Sequence, residues 1–173
     1  MGIDRRTFME YLAGSLFFEK TLWQRQTPES VVADFTLRDL EDKSVTFSTF
    51  KGKVILLDFW ATWCEPCIAE IPQLNFLYRT HRDRGLEVVG VALESGSVAD
   101  IRRNVAKHNI NYRVLIGDDG VANRYKVFGF PTTYLIDRSW RIHKKYIGLQ
   151  PNKRTERAAS LDADIQALLL TIR

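Results

Sequence analysis

Cysteine and histidine are scarce in this chain of 173 residues, which has two of the first and three of the second. Two cysteines exclude a disulfide-stapled miniprotein. A chain of this length also buries a sizeable core without staples or structural metals. A structural zinc site wants four ligands, usually two cysteine pairs or a cysteine pair with a histidine pair. There is no second cysteine pair here, and His81, His108 and His143 stand apart. A c-type haem attachment site needs histidine directly after the second cysteine of a CxxC, and Ile68 occupies that place. No window approaches the ~20 apolar residues of a membrane-spanning helix. Repeats and low-complexity tracts are missing. So is any aromatic platform interleaved with basic residues, and no nucleic-acid partner is expected.

What remains is ordinary for a soluble domain: 45% hydrophobic residues, 27% charged, and a net charge of +4. The basic residues are scattered (Arg79, Arg82 and Arg84; Arg102, Arg103 and Lys107; Lys144 and Lys145; Lys153, Arg154 and Arg157), with acids among most of them. They read as solvated faces. A helical segment over residues 1–27 precedes a domain over residues 28–173. Within that segment Arg5-Arg6-Thr7-Phe8-Met9 is similar to a twin-arginine export signal. The apolar run behind it spans residues 11–18 and breaks at Glu19 and Lys20, with no Ala-x-Ala site following. Two readings stand: an export signal or membrane anchor through residues 1–20, or an amphipathic helix.

The domain alternates strand and helix patterns. Residues 32–37 alternate apolar and polar, and a turn at Glu41-Asp42-Lys43 leads to Val45-Thr46-Phe47, which predicts a hairpin. Residues 54–60 form a near-continuous apolar run, the mark of a strand buried on both faces. The cysteine motif follows, then a helix from about residue 66 to 81. A second buried strand covers 86–93, a helix 97–109, a strand 112–116 and a short helix 121–128. Two strands, 132–137 and 141–147, flank a turn at Arg138-Ser139, and a last helix runs from about 155 to 170. This order gives an α/β domain: a mixed sheet flanked by helices.

Trp63-Cys64-Glu65-Pro66-Cys67 carries the chemistry. A reactive cysteine must be a thiolate, and the N-terminus of a helix stabilises that anion through free N–H groups and its dipole. Cys64 stands at this start, and Pro66 fits the first turn without losing a needed hydrogen bond. Cys67, three residues on, shares a helical face with Cys64 and can close a disulfide with it. Cys64 is therefore expected to be the exposed nucleophile and Cys67 the buried resolving thiol. Asp58 is a carboxylate inside an apolar strand; burial would raise its pKa and suit it to proton transfer near neutrality. Glu70 lies one turn beyond Cys67 and is a second acid/base candidate. Glu65 is negative and opposes thiolate formation, which disfavours a strongly oxidising pair. Pro131 opens a strand, where a cis bond would present the Phe130 backbone to an extended substrate. Substrate contacts are expected from Trp63, Glu65, Pro66, Phe130 and Pro131. The redox-active disulfide stands in place of a cofactor, and no metal is expected.

Trp60-Ala61-Thr62-Trp63-Cys64-Glu65-Pro66-Cys67 resembles the active-site segment of thioredoxin-like proteins, and Phe130-Pro131-Thr132-Thr133-Tyr134-Leu135-Ile136-Asp137 resembles their cis-proline strand. The N-terminal hairpin, the Cys67-Ile68-Ala69-Glu70-Ile71-Pro72 continuation and the inserted helix at 97–109 are similar to the bacterial TlpA/ResA-type branch. The resemblance covers about residues 31–170. It implies a thioredoxin fold with an N-terminal β-hairpin extension. Asp58 matches the family's buried acid, Glu70 its active-site glutamate, Pro72 its helix kink and Pro131 its cis-proline. The implied activity is reduction of protein disulfides outside the cytoplasm, apocytochrome c included, with electrons from a membrane or thioredoxin-like donor; a monomer is expected, and a cytoplasmic location is the alternative. Two residues depart from the pattern: Phe130 is bulky, and Trp140 stands where the final hairpin usually turns through glycine.

Two rivals need weighing. A peroxiredoxin, which shares the fold, needs a threonine and a proline ahead of a lone peroxidatic cysteine, and no proline precedes Cys64 in this segment. A copper-binding assembly module needs wider cysteine spacing and a distal histidine, for which His143 is a poor candidate.

Overall fold

The computed structural model describes residues 31–148 and 151–171. The expected helical segment at 1–27 and the linker at 27–30 lie outside the described residues.

Strands β1 (Thr36–Asp39) and β2 (Ser44–Thr46) form the hairpin, antiparallel and in register Leu37↔Val45. The buried Asp39 carboxylate closes its turn by accepting from the backbone N–H groups of Glu41 and Lys43, both at 2.9 Å. Strand β3 (Val54–Trp60) is buried at every position. Its alternate residues serve different cores: Val54, Leu56 and Trp60 pack in one cluster, Ile55, Leu57 and Phe59 in the other. Burying each such side chain stabilises the fold by roughly 1.5–3 kcal/mol, which is why the run is apolar throughout. Asp58 falls on the first face, by the period of two.

Helix α1 (Glu65–His81) follows, with Pro72 inside it. Gly85, at φ 101°, then turns the chain into β4 (Leu86–Ala92), parallel to β3. Helix α2 (Val98–Lys107) starts at a capping box made by Ser97 and Asp100. Strand β5 (Arg113–Ile116) pairs with β4 and β1, and the Asp118 side chain caps α3 (Asp119–Arg124). Strands β6 (Thr132–Ile136) and β7 (Ile142–Ile147) are antiparallel, and β6 pairs antiparallel with β3. Helix α4 is Arg154–Leu170. The sheet order is β2-β1-β5-β4-β3-β6-β7, which puts β3 among the central strands. Residues of α1, α2 and α4 build the core on one face; the hairpin and α3 build it on the other.

Three expectations change, one of them the short helix expected over 121–128, which spans Asp119–Arg124 instead. The first strand begins at Thr36, not at 32, because the segment before it makes a lone bridge at Val31 and one backbone bond at Phe35, and its other bonds run to side chains. Asp34 accepts from the N–H groups of Phe35 and Ser48, and the carbonyls of Ala33 and Asp34 accept from Tyr125 and Arg124. Trp140 also finds its place. It takes the left-handed turn conformation itself, at φ 63°, and packs its ring 5.1 Å from Phe47, with the Lys51 ammonium 5.2 Å from its centroid.

Candidate active site

Cys64 is the N-cap of α1, with an extended backbone, and Pro66 sits in the first turn. The Cys64 sulfur accepts from the Cys67 N–H at 3.3 Å, so the helix end meets it directly. The two cysteines are disulfide-bonded. Exposure does not separate them as the sequence led one to expect: both are almost wholly buried, Cys64 at 4% and Cys67 at 3%. The surface separates them instead. Cys64 lines an open cleft with Trp63, Glu65, Pro66, Phe128 and Phe130, and Cys67 is not part of that lining.

The cleft wall is held in place. Trp63 is 60% exposed, yet its indole N–H donates to the Glu94 carbonyl at 2.8 Å. Glu94 takes a left-handed backbone, φ 49°, to offer it. The next residue adds a tie, as the Thr62 N–H donates to the Ser95 hydroxyl at 3.0 Å. Phe130 meets the Trp63 ring edge to face, centroids 5.7 Å apart, which gives its bulk a use. The Phe130–Pro131 peptide bond is cis, and Pro131 is buried. Phe128 is 92% exposed on the same cleft. Sequence reasoning passed over it, although a phenylalanine two residues before the Phe130-Pro131 pair was a visible signal.

A buried polar chain joins β3, β6, α4 and the active-site helix, and the sequence only half reveals it. Asp58 is 3% exposed and accepts from the Thr133 hydroxyl at 2.9 Å. Thr133 in turn accepts from the Arg157 guanidinium at 3.0 Å. Arg157 grips Glu70 with two further bonds, 2.8 Å and 3.3 Å, and donates to the Gly148 carbonyl at 2.6 Å. Glu70 is itself buried, so this ion pair is largely removed from water. Arg157 belonged with the solvated basic residues in the sequence reading; its side chain is in fact only 11% exposed. The missed signal is spacing, since Arg157, Leu161 and Ile165 follow each other at four-residue steps on the apolar side of α4.

Burial pushes the Asp58 carboxyl up to about 7, with the charge of Glu70 adding to the rise; Thr133 and Arg157 pull the other way. Burial likewise lifts Glu70 above the ordinary glutamate range, and Arg157 draws it back. The buried phenol of Tyr112 is raised well above its usual value by burial and by these same carboxylates, so it stays neutral. A carboxyl poised near neutrality can take and return a proton. Among the described residues no three His, Cys, Asp or Glu side chains gather into a metal-ligand set. His81 is buried and pairs with Asp162 at 2.8 Å, and His143 is exposed on β7.

Residues 28–145 match the model of the AhpC/TSA family. The thiol-disulfide oxidoreductase ResA of Bacillus thuringiensis subsp. konkukian is 32% identical over 124 residues, 71% of either chain. The thioredoxin-like protein YneN of Bacillus subtilis is 33% identical over 131 residues, covering 75% of this chain and 76% of YneN. Among solved structures, a Chlorobium tepidum protein described as a thiol:disulfide interchange protein DsbE superposes with a TM-score of 0.74 at 29% identity, over 83% of this chain and 99% of that one.

Proposed function

The chain belongs to the AhpC/TSA family and is a thiol-disulfide oxidoreductase of thioredoxin fold, and from this footing we propose that it acts as a reductant of protein disulfides through Cys64 and Cys67. The observation that carries the reading is the Cys64–Cys67 disulfide at the N-terminus of α1, in a domain whose central strand holds the buried, near-neutral carboxyl of Asp58.

The steps follow from the geometry. The Cys64 thiolate, favoured by the helix end, attacks one sulfur of a substrate disulfide that lies in the cleft between Trp63, Phe128 and Phe130, beside the cis Phe130–Pro131 bond. The substrate S–S bond breaks, and its far sulfur leaves and takes a proton. Cys67 gives its proton to Asp58, and its thiolate attacks the Cys64 sulfur of the mixed disulfide. The Cys64–Cys67 bond forms, and the second substrate sulfur leaves as a thiol once it is protonated. Two electrons and two protons have then passed from the enzyme dithiol to the substrate. Glu65, in the first turn of α1 and exposed, disfavours the Cys64 thiolate, which supports a reducing over an oxidising couple.

The targets fitting this reading are disulfide-bearing proteins outside the cytoplasm, apocytochrome c among them, with electrons from a membrane or thioredoxin-like donor. Persistence of disulfides in oxidising compartments and the Arg5-Arg6 segment support the location. The test is a titration of the couple in thiol redox buffers, read by tryptophan fluorescence. A potential nearer about −270 mV than about −120 mV supports a reductase. A potential near the upper figure would make the protein a disulfide-forming oxidase. Failure to form the Cys64–Cys67 disulfide would remove the oxidoreductase mechanism altogether.

A further inference from the structure

Two buried carboxyls interact, and Arg157 is tied to one directly and to the other through Thr133. Glu70 enters from α1 and Asp58 from β3, and each disfavours the other's charge. Among the described residues, the one bonded both to Glu70 and to the hydroxyl that serves Asp58 is Arg157, on α4. The bonds it makes are directional. A guanidinium only donates, so the Thr133 oxygen must accept from Arg157. The Thr133 hydroxyl hydrogen is then left to point at Asp58. Through Nε and the same Nη2 that meets Thr133, the guanidinium presents two N–H groups to the two oxygens of Glu70, the bidentate arrangement that favours a carboxylate's charged form. A bond to the Gly148 carbonyl fixes the ring of contacts to the end of β7, and the Gly148 N–H donates to the carbonyl of Pro131 at 2.8 Å. One side chain thus spans the active-site helix, the strand carrying Asp58's partner and the backbone beside Pro131.

We propose that Arg157 is a positioning residue for thiol-disulfide exchange: its fork favours the charged form of Glu70 over that of Asp58 and, through Thr133, leaves Asp58 as the group that carries the exchangeable proton. The proposal rests on the reductase reading above and adds the division of labour between the two acids. Without Arg157 two like charges would share a dry site with no counter-ion inside it, and neither could be the dedicated base. The other groups that bear on the pair do not supply that counter-ion. Arg154 lies at the exposed start of α4 and acts on Glu70 through its field alone, Tyr112 is neutral, and the cysteines carry no charge when joined. The Cys67 thiol, once reduced, is the proton donor that Asp58 must serve.

The experiment follows carboxyl carbons of Asp58 and Glu70 by NMR across pH 5 to 9, in the reduced full chain. The rate of protein-disulfide reduction is measured over the same range. In the wild type Glu70 gives up its proton before Asp58, Asp58 carries the step near neutrality, and that step sets the acid limb of the rate. In R157M Glu70 joins the titration, the pair shares a proton over two steps, and the upper step and the acid limb both move upward by about one to two pH values. R157K restores the charge without the fork, so its limb falls between those of the other two proteins. If R157M fails to fold, R157K carries the test, and a limb that coincides with the wild type's would overturn the proposal. So would Glu70 remaining ionised in R157M. A loss of melting temperature and of rate at every pH, with the limb unmoved, would make Arg157 a structural anchor and nothing more. A wild type that reduces no protein disulfide at any pH would sink the reductase reading and with it any positioning role in exchange. A wild type that turns over, beside an R157M profile that does not move, would sink the role of Arg157 alone.

Discussion

Thr133 donates its hydroxyl hydrogen to Asp58 at 2.9 Å across the antiparallel pair of β6 and β3, where the two residues stand directly opposite. Both are buried, so the bond acts in a medium that strengthens it. It draws the Asp58 carboxyl down against the larger effect of burial.

T133V keeps the shape and removes that donor. Asp58 then rises further, and the acid limb of disulfide reduction moves to higher pH by roughly half a unit to one unit. The variant also leaves an Arg157 N–H without its acceptor, at a cost of about 1–3 kcal/mol in stability. A pH–rate profile and a denaturant curve check both. An unmoved limb would mean that Asp58 does not serve the rate-determining proton transfer.

Asp58 also makes stability depend on pH in a set direction. Its folded value of about 7 lies above the ordinary 3.8. Between those values the folded chain holds a proton that the unfolded chain has released. Stability therefore falls as pH climbs from about 4 to about 7 and then levels off. A gap of this size amounts to at most about 4 kcal/mol. D58N is uncharged in both states and escapes the loss, so at pH 8 it exceeds the wild type by about 2–4 kcal/mol while disulfide reduction slows. Guanidinium unfolding at pH 5 and pH 8 measures it; equal stability of the two proteins at pH 8 would contradict the buried, proton-holding Asp58.

Cys64 faces the cleft and Cys67 does not, which sets the order of attack. C67S should accumulate a mixed disulfide with a protein substrate, because nothing remains to resolve it, whereas C64S should trap none. Non-reducing electrophoresis and mass spectrometry distinguish them. Trapping by C64S and not C67S would reverse the roles.

Glu65 sits in the first turn of α1, beside the sulfur that must become an anion. E65H removes that negative charge and stabilises the reduced couple. The potential should rise by roughly 30 mV or more, a shift of about 1.4 kcal/mol. Equilibration with glutathione reads it directly, and an unchanged value would leave the reducing character to other groups.

Sequence reasoning reached the elements whose cause is local. The apolar run at β3, the turn before β2 and the cysteines at a helix start are each set by neighbours in the chain, and their boundaries fall within a residue or two. The first strand was placed early because 32–35 alternates like a strand, while its carbonyls are satisfied by Arg124 and Tyr125, about ninety residues on. Asp58 and Glu70 were legible, since a carboxylate in an apolar run and one a turn past a cysteine both stand out. Arg157 was not, because its partner Glu70 is 87 residues away and a lone arginine on a mixed helix resembles any solvated one. Gly90 was silent for the same reason. It stands opposite Asp58 in the sheet, and a side chain there would meet the Trp60 indole and Tyr112, both at 3.1 Å.

The distance in sequence between the dithiol and its cation also orders events during synthesis. Cys67 emerges from the ribosome about 90 residues before Arg157. At ordinary elongation rates that is an interval of roughly 5–20 s. For that time the nascent chain carries both thiols but not the guanidinium that joins α4 to α1. Completion of the acid–base site and docking of α4 are therefore one event, and a chain stalled in that interval holds its cysteines without the partner that organises their proton traffic.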